Sequence, residues 1–544
     1  MPLALVLILV GAGAGTLLDI VDPARTETPP LSGRSTTATS GAWYCGIGDT
    51  AGENGLTLIG AVPPDQPTSS TLRLDLQHSG ETDVGAEAEV LPGTQHVQVV
   101  PSGRREASVA ARWFREPAVV TRIWRREVAG EPSGLVAGPC QPQPNHTWYL
   151  PGVTTAGGAR AYLVVANPFD SDAAISVSLL GPEGVTEPQL LKNIGVEARS
   201  AQTIALNEYA PEVPDLGAIV RVRAGRIVAE GWQSIDAAVG GIEGVSLVAA
   251  ANEGNEVWTV PWFESGPTSD SWLWVANIGD RPAAVSVTVH TAAGGSPPTG
   301  LGEVTIDTGT VDRIDLRGVL PDGVSTGGVT VASTNGVPIV ASVATTLRGE
   351  SQERSGVSVQ LGQSVPDPRW TVSSGATTGR AEHLHLVNLG ATAATAHVAV
   401  ATPAGRSQPE QLRRIRVPPG ALVSIDVRPM LPDAEQHTIF VSANTATLVA
   451  GIHAFAVEGR LDLVAYPGVP SALWAGGEVP PVVFAPGLTH RIGTRFGPPP
   501  VEASGPTSFP TDGTTGFEPS TPLPTPSVPV TPTTLPGDPA GGGD

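Results

Sequence analysis

Lysine is nearly missing from this chain: Lys192 is the only one in 544 residues, so almost all positive charge is arginine. The codon usage of a GC-rich genome accounts for that as readily as a demand for guanidinium. Positive charge is scarce altogether, with 31 Lys and Arg against 52 Asp and Glu and a formal net charge of −21. That excludes the basic footprint of a general nucleic-acid binder and suits a soluble, self-repelling surface. Cysteine is limited to Cys45 and Cys140. One pair with nothing left over fits a disulfide in an oxidising compartment; two unrelated buried thiols are the alternative. No stretch keeps a helical period over a dozen residues, so little helix is expected. There is no HExxH, P-loop, Gly-x-Ser-x-Gly elbow or CxxC, and no spacing sets two carboxylates around a cleft. No catalytic residue and no cofactor is therefore named.

What the chain has in quantity is Gly (65) and Pro (53), with much of the rest Val, Ala and Thr. That composition favours short strands joined by turns, and the length calls for several cores rather than one. One pattern recurs. Tyr162–Gly184, Ser271–Gly295 and His383–Gly405 each read as an alternating strand, a turn opened by Asn167, Asn277 or Asn388, and a second alternating strand. Leu72–Gly93 is a weaker copy, with His78 at the turn. Each copy reads as a hairpin. Trp43, Trp148, Trp258, Trp370 and Trp474 recur every 104–112 residues, a fixed period that marks an array. Further strand pairs turn at Ala224-Gly225, Asn335-Gly336 and near Asn444.

Seven or eight short strands per unit of about 110 residues match an immunoglobulin-like or fibronectin-like sandwich. A propeller with two four-stranded blades per unit is the rival, disfavoured because no half-period is seen. The expected layout is four sandwiches strung in line, at 43–140, 147–250, 257–348 and 369–467, with the first divergent. A disulfide between Cys45 and Cys140 would close the first unit and no other. Residues 1–22 begin with an apolar, uncharged run, expected as a signal-anchor with the bulk of the chain outside, or as a cleaved signal peptide. No Lys or Arg precedes it. Residues 23–42 read as a polar linker, and the Pro/Thr-rich stretch at 497–544 as a disordered tail.

The opening Trp43-Tyr44-Cys45, the Gly138-Pro139-Cys140 before the next unit, and the turns at Asn167-Pro168, Asn277-Ile278-Gly279 and Asn388-Leu389-Gly390 carry a resemblance. Over about residues 43–470 the chain resembles an actinobacterial family of extracytoplasmic envelope proteins with a domain of unknown function. The resemblance implies an envelope location and an undetermined role, with no catalytic residues to carry over.

Aligned on the turns, the first strand of each copy has a core face: Leu74/Leu76, Leu163/Val165, Leu273/Val275 and Leu384/Leu386. The opposite face varies: Arg73/Asp75, Tyr162/Val164, Trp272/Trp274 and His383/His385. Such a face belongs to solvent or to a contact between units. Trp272 and Trp274 share it, and with Trp262 they are the candidate platform for sugar rings; packing against a neighbour is the plain alternative. His383 and His385 also share a face, near His397, His437 and His453, but no acidic or Cys ligand falls at a metal-binding spacing, so surface or rim histidines are expected and no metal. Arg112, Arg115, Arg122, Arg125 and Arg126 form a basic stripe that would meet lipid headgroups or an anionic polymer, or else be a solvated strand face. The turn asparagines are expected to be structural, since Asn bonds its own main chain in turns.

The expected protein is a non-catalytic, membrane-tethered extracytoplasmic scaffold, adhesin or accessory of the cell envelope. Its partner would be an envelope polysaccharide or another envelope protein. A carbohydrate-binding array using the aromatics of the third unit is the alternative, and an envelope hydrolase or transferase the third reading.

Overall fold

The computed structural model describes residues 39–476, apart from 49–55, 86, 101–105, 127–131, 237–242, 349–354, 375–378, 403–404, 432–435 and 457–461. The segments expected at 1–22 and 497–544, and nearly all of the linker at 23–42, lie outside the described residues.

The second unit shows the plan. Its first, fifth and third strands (Thr147–Val153, Leu216–Ala224 and Ala173–Gly181) form one sheet, with Gly184–Thr186 and Ile194–Val196 as short additions to the third. Its fourth, second, sixth and seventh strands (Ser200–Ala205, Arg160–Asn167, Val228–Ile235 and Gly244–Ala249) form the other. Every pairing is antiparallel. The same order recurs in all four units, giving eight sheets paired into four β-sandwiches. This is the two-layer architecture of the immunoglobulin and fibronectin folds with its own strand order. Among the described residues there is no α-helix, only single 3₁₀ turns. The third sandwich takes in Gly356–Leu361 as its seventh strand, beyond the expected limit at 348.

The repeated motif is not a hairpin. Arg160–Asn167 and Ala173–Gly181 lie in different sheets, as do Ser269–Asn277 and Ala283–Thr291, and Arg380–Asn388 and Ala394–Thr402. Each is an arch that carries the chain from one sheet across to the other. The buried Asn is the reason. Asn277 Nδ2 donates to the carbonyls of Arg281 and Ile306, both at 2.9 Å, and its Oδ1 accepts from Gly279 N at 2.9 Å. One side chain thus ties the start of the arch to its end and to the end of a short strand, Val304–Ile306, 29 residues on. Asn167 and Asn388 make the same set. The pairs turning at Ala224-Gly225, Asn335-Gly336 and Asn444 also cross between sheets.

In the first unit the equivalent arch starts at Val62, whose N–H and carbonyl bond Thr94 and Gly93 as those of Asn277 bond Thr310 and Gly309. The matching strand is therefore Leu56–Ala61, and Leu72–His78 belongs to the third strand; alternation alone fits either one.

The recurring tryptophans open the units for a shared reason. The indole N–H groups of Trp43, Trp148, Trp258 and Trp370 donate to the carbonyls of Ala118, Ile227, Ile339 and Leu448, at 2.6, 2.9, 2.7 and 3.1 Å. Each carbonyl sits at the entry to its unit's sixth strand, so a buried ring pins first strand to sixth and keeps its polar atom satisfied. The end of each unit returns to its own first strand, through Tyr44↔Gln141, Tyr149↔Ala251, Thr259↔Gln363 and Thr371↔Val469. In the first unit a Cys45–Cys140 disulfide staples that closure.

The units do not run in line. The first strand of each sandwich lies on the four-stranded sheet of the next, and the fourth sandwich's first strand, Arg369–Ser374, lies against Val119–Arg126 of the first. The seventh strands, Gly134–Pro139, Gly244–Ala249, Gly356–Leu361 and Leu463–Pro467, meet around an axis. The sandwiches thus stack into a closed ring, which has the radial arrangement of a propeller. The physical cause is the second strand, buried on both faces: Leu163 and Val164, Leu273 and Trp274, and Leu384 and His385 are all at most 1% exposed. A linear array would leave one such face bare at an end, whereas a ring has no end.

Candidate functional site

The residues that carry the most chemistry in the sequence are gathered at the four joints of the ring. Between the first and second sandwiches Arg122 and Glu230 form a bidentate pair, each side chain only 2% exposed. Arg122 also donates to Gly46 O at 3.0 Å, and Gly46 N donates to Glu230. Beside them Arg126 lies 3.9 Å over the Trp232 ring, which stacks on Tyr162 at 3.9 Å. At the seam between fourth and first, Asp462 accepts from Arg125 at 2.5 Å and Arg380 at 2.8 Å. These hydrogen bonds and the neighbouring positive charges hold the Asp462 carboxyl below its ordinary range against the opposing effect of burial.

The basic stripe is therefore not a patch. Arg112 and Arg115 sit on or just after the fifth strand of the first unit, while Arg122, Arg125 and Arg126 are on its sixth, in the other sheet. Arg112 approaches Asp75 at 3.4 Å, and Arg115 donates to Thr71 Oγ1 at 2.9 Å on the surface. The other three are taken up by the joints.

The aromatic platform is likewise closed off. Trp274 is 0% exposed and Trp262 1%. Trp274 packs where Gly152 of the second sandwich leaves room, since a Cβ there would lie 2.4 Å from the indole. Its Nε1 donates to Asp215 Oδ1 at 2.8 Å across the joint. Half-buried Trp272 meets Trp274 edge-on, with an interplanar angle of 83°, so the two rings form no flat surface. Trp262 of the third sandwich stacks on His453 of the fourth at 4.2 Å.

The histidines are mostly interior, contrary to the surface positions expected. His385 Nε2 and His453 Nδ1 share a hydrogen bond of 2.6 Å, and His383 stacks on His453 at 4.8 Å. Burial, and secondarily the charge of His383, pushes His385 well below the ordinary imidazole range. His437 Nε2 lies 2.7 Å from Glu382 Oε1, both wholly buried. Only His397 of the five is exposed. Among the described residues no three His, Cys, Asp or Glu side chains are grouped to hold a metal.

One open space is on the axis. A cavity of about 280 Å³ is lined by the four seventh strands and the segments that follow them. Its walls are apolar, with Leu247 and Leu361 partly exposed inside. Val365 and Leu473 line it too, 37% and 36% exposed. Amides are prominent among its polar side chains: Gln141, Gln143, Asn252, Asn255, Gln360 and Gln363. Gln141 Nε2 donates to Ala250 O at 3.2 Å, while Asn255 Nδ2 is buried without a partner. Glu253 is exposed, and Asp367 is engaged with Ser471 Oγ at 2.7 Å and Arg369 N at 2.8 Å. No Lys, Arg or His is among the described lining residues. Sequence reasoning misses this pocket because four strands far apart in the chain build it. The one local signal is Val365, an apolar residue left in the polar connection 362–368.

Fold and joints together define a class: a β-sandwich repeat protein closed into a ring, with an axial pocket. The family described as "Family of unknown function (DUF5719)" matches residues 103–359 and 364–468, and the chain belongs to it. No protein of curated function matches. Among solved structures, a Streptomyces avermitilis alpha-L-rhamnosidase complexed with L-rhamnose is similar at 8% identity and a TM-score of 0.11, over 73% of this chain and 55% of that one. Escherichia coli alpha-2-macroglobulin activated by porcine elastase is similar at 11% identity and a TM-score of 0.10, over 76% and 42%. At such TM-scores neither likeness carries an argument.

Proposed function

We propose that this protein is a non-catalytic scaffold of the cell envelope, outside the cytoplasm, tethered by its apolar N-terminal segment and binding an envelope polysaccharide or another envelope protein. The observation that carries this reading is where the reactive side chains go. Arg122, Glu230, Asp462, Trp262, Trp274 and His385 are consumed in joints that make one body of four sandwiches. A ring of four sandwiches of like strand order suits a platform on which other molecules assemble. The Cys45–Cys140 disulfide and the acidic composition favour an oxidising, extracytoplasmic setting. An actinobacterial source belongs to the same reading and rests on the motif resemblance. Sugar binding through Trp262, Trp272 and Trp274 is the weaker reading, because Trp262 and Trp274 are buried in joints and half-buried Trp272 meets Trp274 edge-on.

The test is made in cells. A reporter active only outside the cytoplasm, joined to the C-terminus, should be active and should fractionate with membranes. Cross-linking in the envelope should capture a partner in wild type that is lost in the joint variant Glu230→Gln. A reporter active only in the cytoplasm, or turnover of an envelope polymer by the purified protein, would overturn the reading.

A further inference from the structure

The axial pocket has room for a ligand. At about 280 Å³ it is roughly twice the 150 Å³ of an engineered apolar cavity that takes up benzene. We propose that it binds the uncharged aliphatic chain of an amphiphile, with the chain between the seventh strands and a neutral, hydrogen-bonding head among the amides. Three observations lead there. The walls are aliphatic, and Leu247, Leu361, Val365 and Leu473 keep apolar surface open to the cavity, surface that an aliphatic chain would remove from water. Among the described lining residues no cation is present to receive a carboxylate or phosphate, and the exposed Glu253 disfavours an anion. A saccharide would lack an aromatic face, since the lining indoles Trp43 and Trp258 are 1% and 4% exposed and engaged in their own units. The amide side chains of Gln141, Gln143, Asn252 and Gln363 offer donors and acceptors to a hydroxyl or ester head.

The inference holds whichever compartment the protein occupies, and its test needs only the purified full-length chain. Monolauroylglycerol (acyl) and farnesol (prenyl) are titrated by calorimetry below their aggregation limits, with laurate as the charged control and maltose as the sugar control. At least one neutral chain should bind, and which one does names the source; laurate should bind at least tenfold more weakly. The double variant Val365→Asp/Leu473→Asp, at two exposed positions, should weaken binding tenfold or more with an unchanged circular-dichroism spectrum. Ala249→Phe, which narrows the pocket from its wall, should do the same by bulk alone. Neutral-chain binding that both variants leave intact, laurate binding as tight as the neutral chain, or uptake of maltose only would overturn the proposal.

Discussion

Acidification from pH 6.5 to 5.0 should weaken the joint between the third and fourth sandwiches through His385. This imidazole is fully buried beside His453 and held neutral in the folded ring, whereas in the unfolded chain it titrates near its ordinary value of 6.5. Below that value the unfolded state binds a proton that the folded state refuses, so stability falls as pH falls. The slope is about 1.4 kcal/mol per pH unit for one group, hence about 2 kcal/mol across this window. Asp462 acts in a separate range: its carboxyl is held low, so its contribution is complete above about pH 3.8 and lost only beneath that. His290, also pushed down by burial, adds to the wild-type slope and remains in the variant. Urea unfolding at pH 7.5, 6.5, 5.5 and 5.0 is the assay, on wild type and on His385→Phe, which keeps a flat ring at the site. Wild type should lose about 2 kcal/mol more than the variant between 6.5 and 5.0. Parallel curves for the two proteins would refute the argument.

Three further outcomes follow from the joints and arches. Glu230→Ala leaves Arg122 buried and unpaired and should destabilise by about 3–5 kcal/mol, while Arg122→Met/Glu230→Leu should come close to wild type in the same denaturation assay. Cys45→Ser/Cys140→Ser, or reduction of wild type, opens a link spanning 95 residues and should cost about 2–5 kcal/mol, read as loss of hydrogen-exchange protection centred on the first sandwich. Asn277→Ala strips two carbonyls and one N–H of their partner and should cost about 2 kcal/mol in the third sandwich by urea unfolding, with Asn277→Asp intermediate.

The sandwiches were legible because their markers are local. A Trp every 104–112 residues and an Asn at the strand end of three units recur in sequence; the Trp that opens each unit holds one hydrogen-bonding role and the three Asn another. Arch and hairpin were not separable, since both read as strand, turn, strand. What decides is the bond from Asn277 to Ile306, outside any local window. The variable face Tyr162/Val164, Trp272/Trp274, His383/His385 reads as solvent-facing or as a contact between units; Trp274 and His385 meet a neighbouring sandwich, yet nothing in the sequence says which one. The arginines looked solvated because the carboxylates nearest in sequence differ from those they pair with: Arg122 finds Glu230 and Arg125 finds Asp462. The axial pocket was invisible for the same reason, being assembled from four strands no one of which is unusual.

Asp462 also sets an order of events. It grips Arg380 from its own sandwich and Arg125 from the first, 337 residues earlier in the chain. During synthesis the leading sandwich therefore waits, one flank uncovered, until almost the whole repeat region has been made. Three finished sandwiches form an open arc, and the fourth arrives as the keystone. A chain halted before that keystone would present Ile59 and Ile123 to its surroundings, residues that in the completed ring pack with the core of the fourth sandwich.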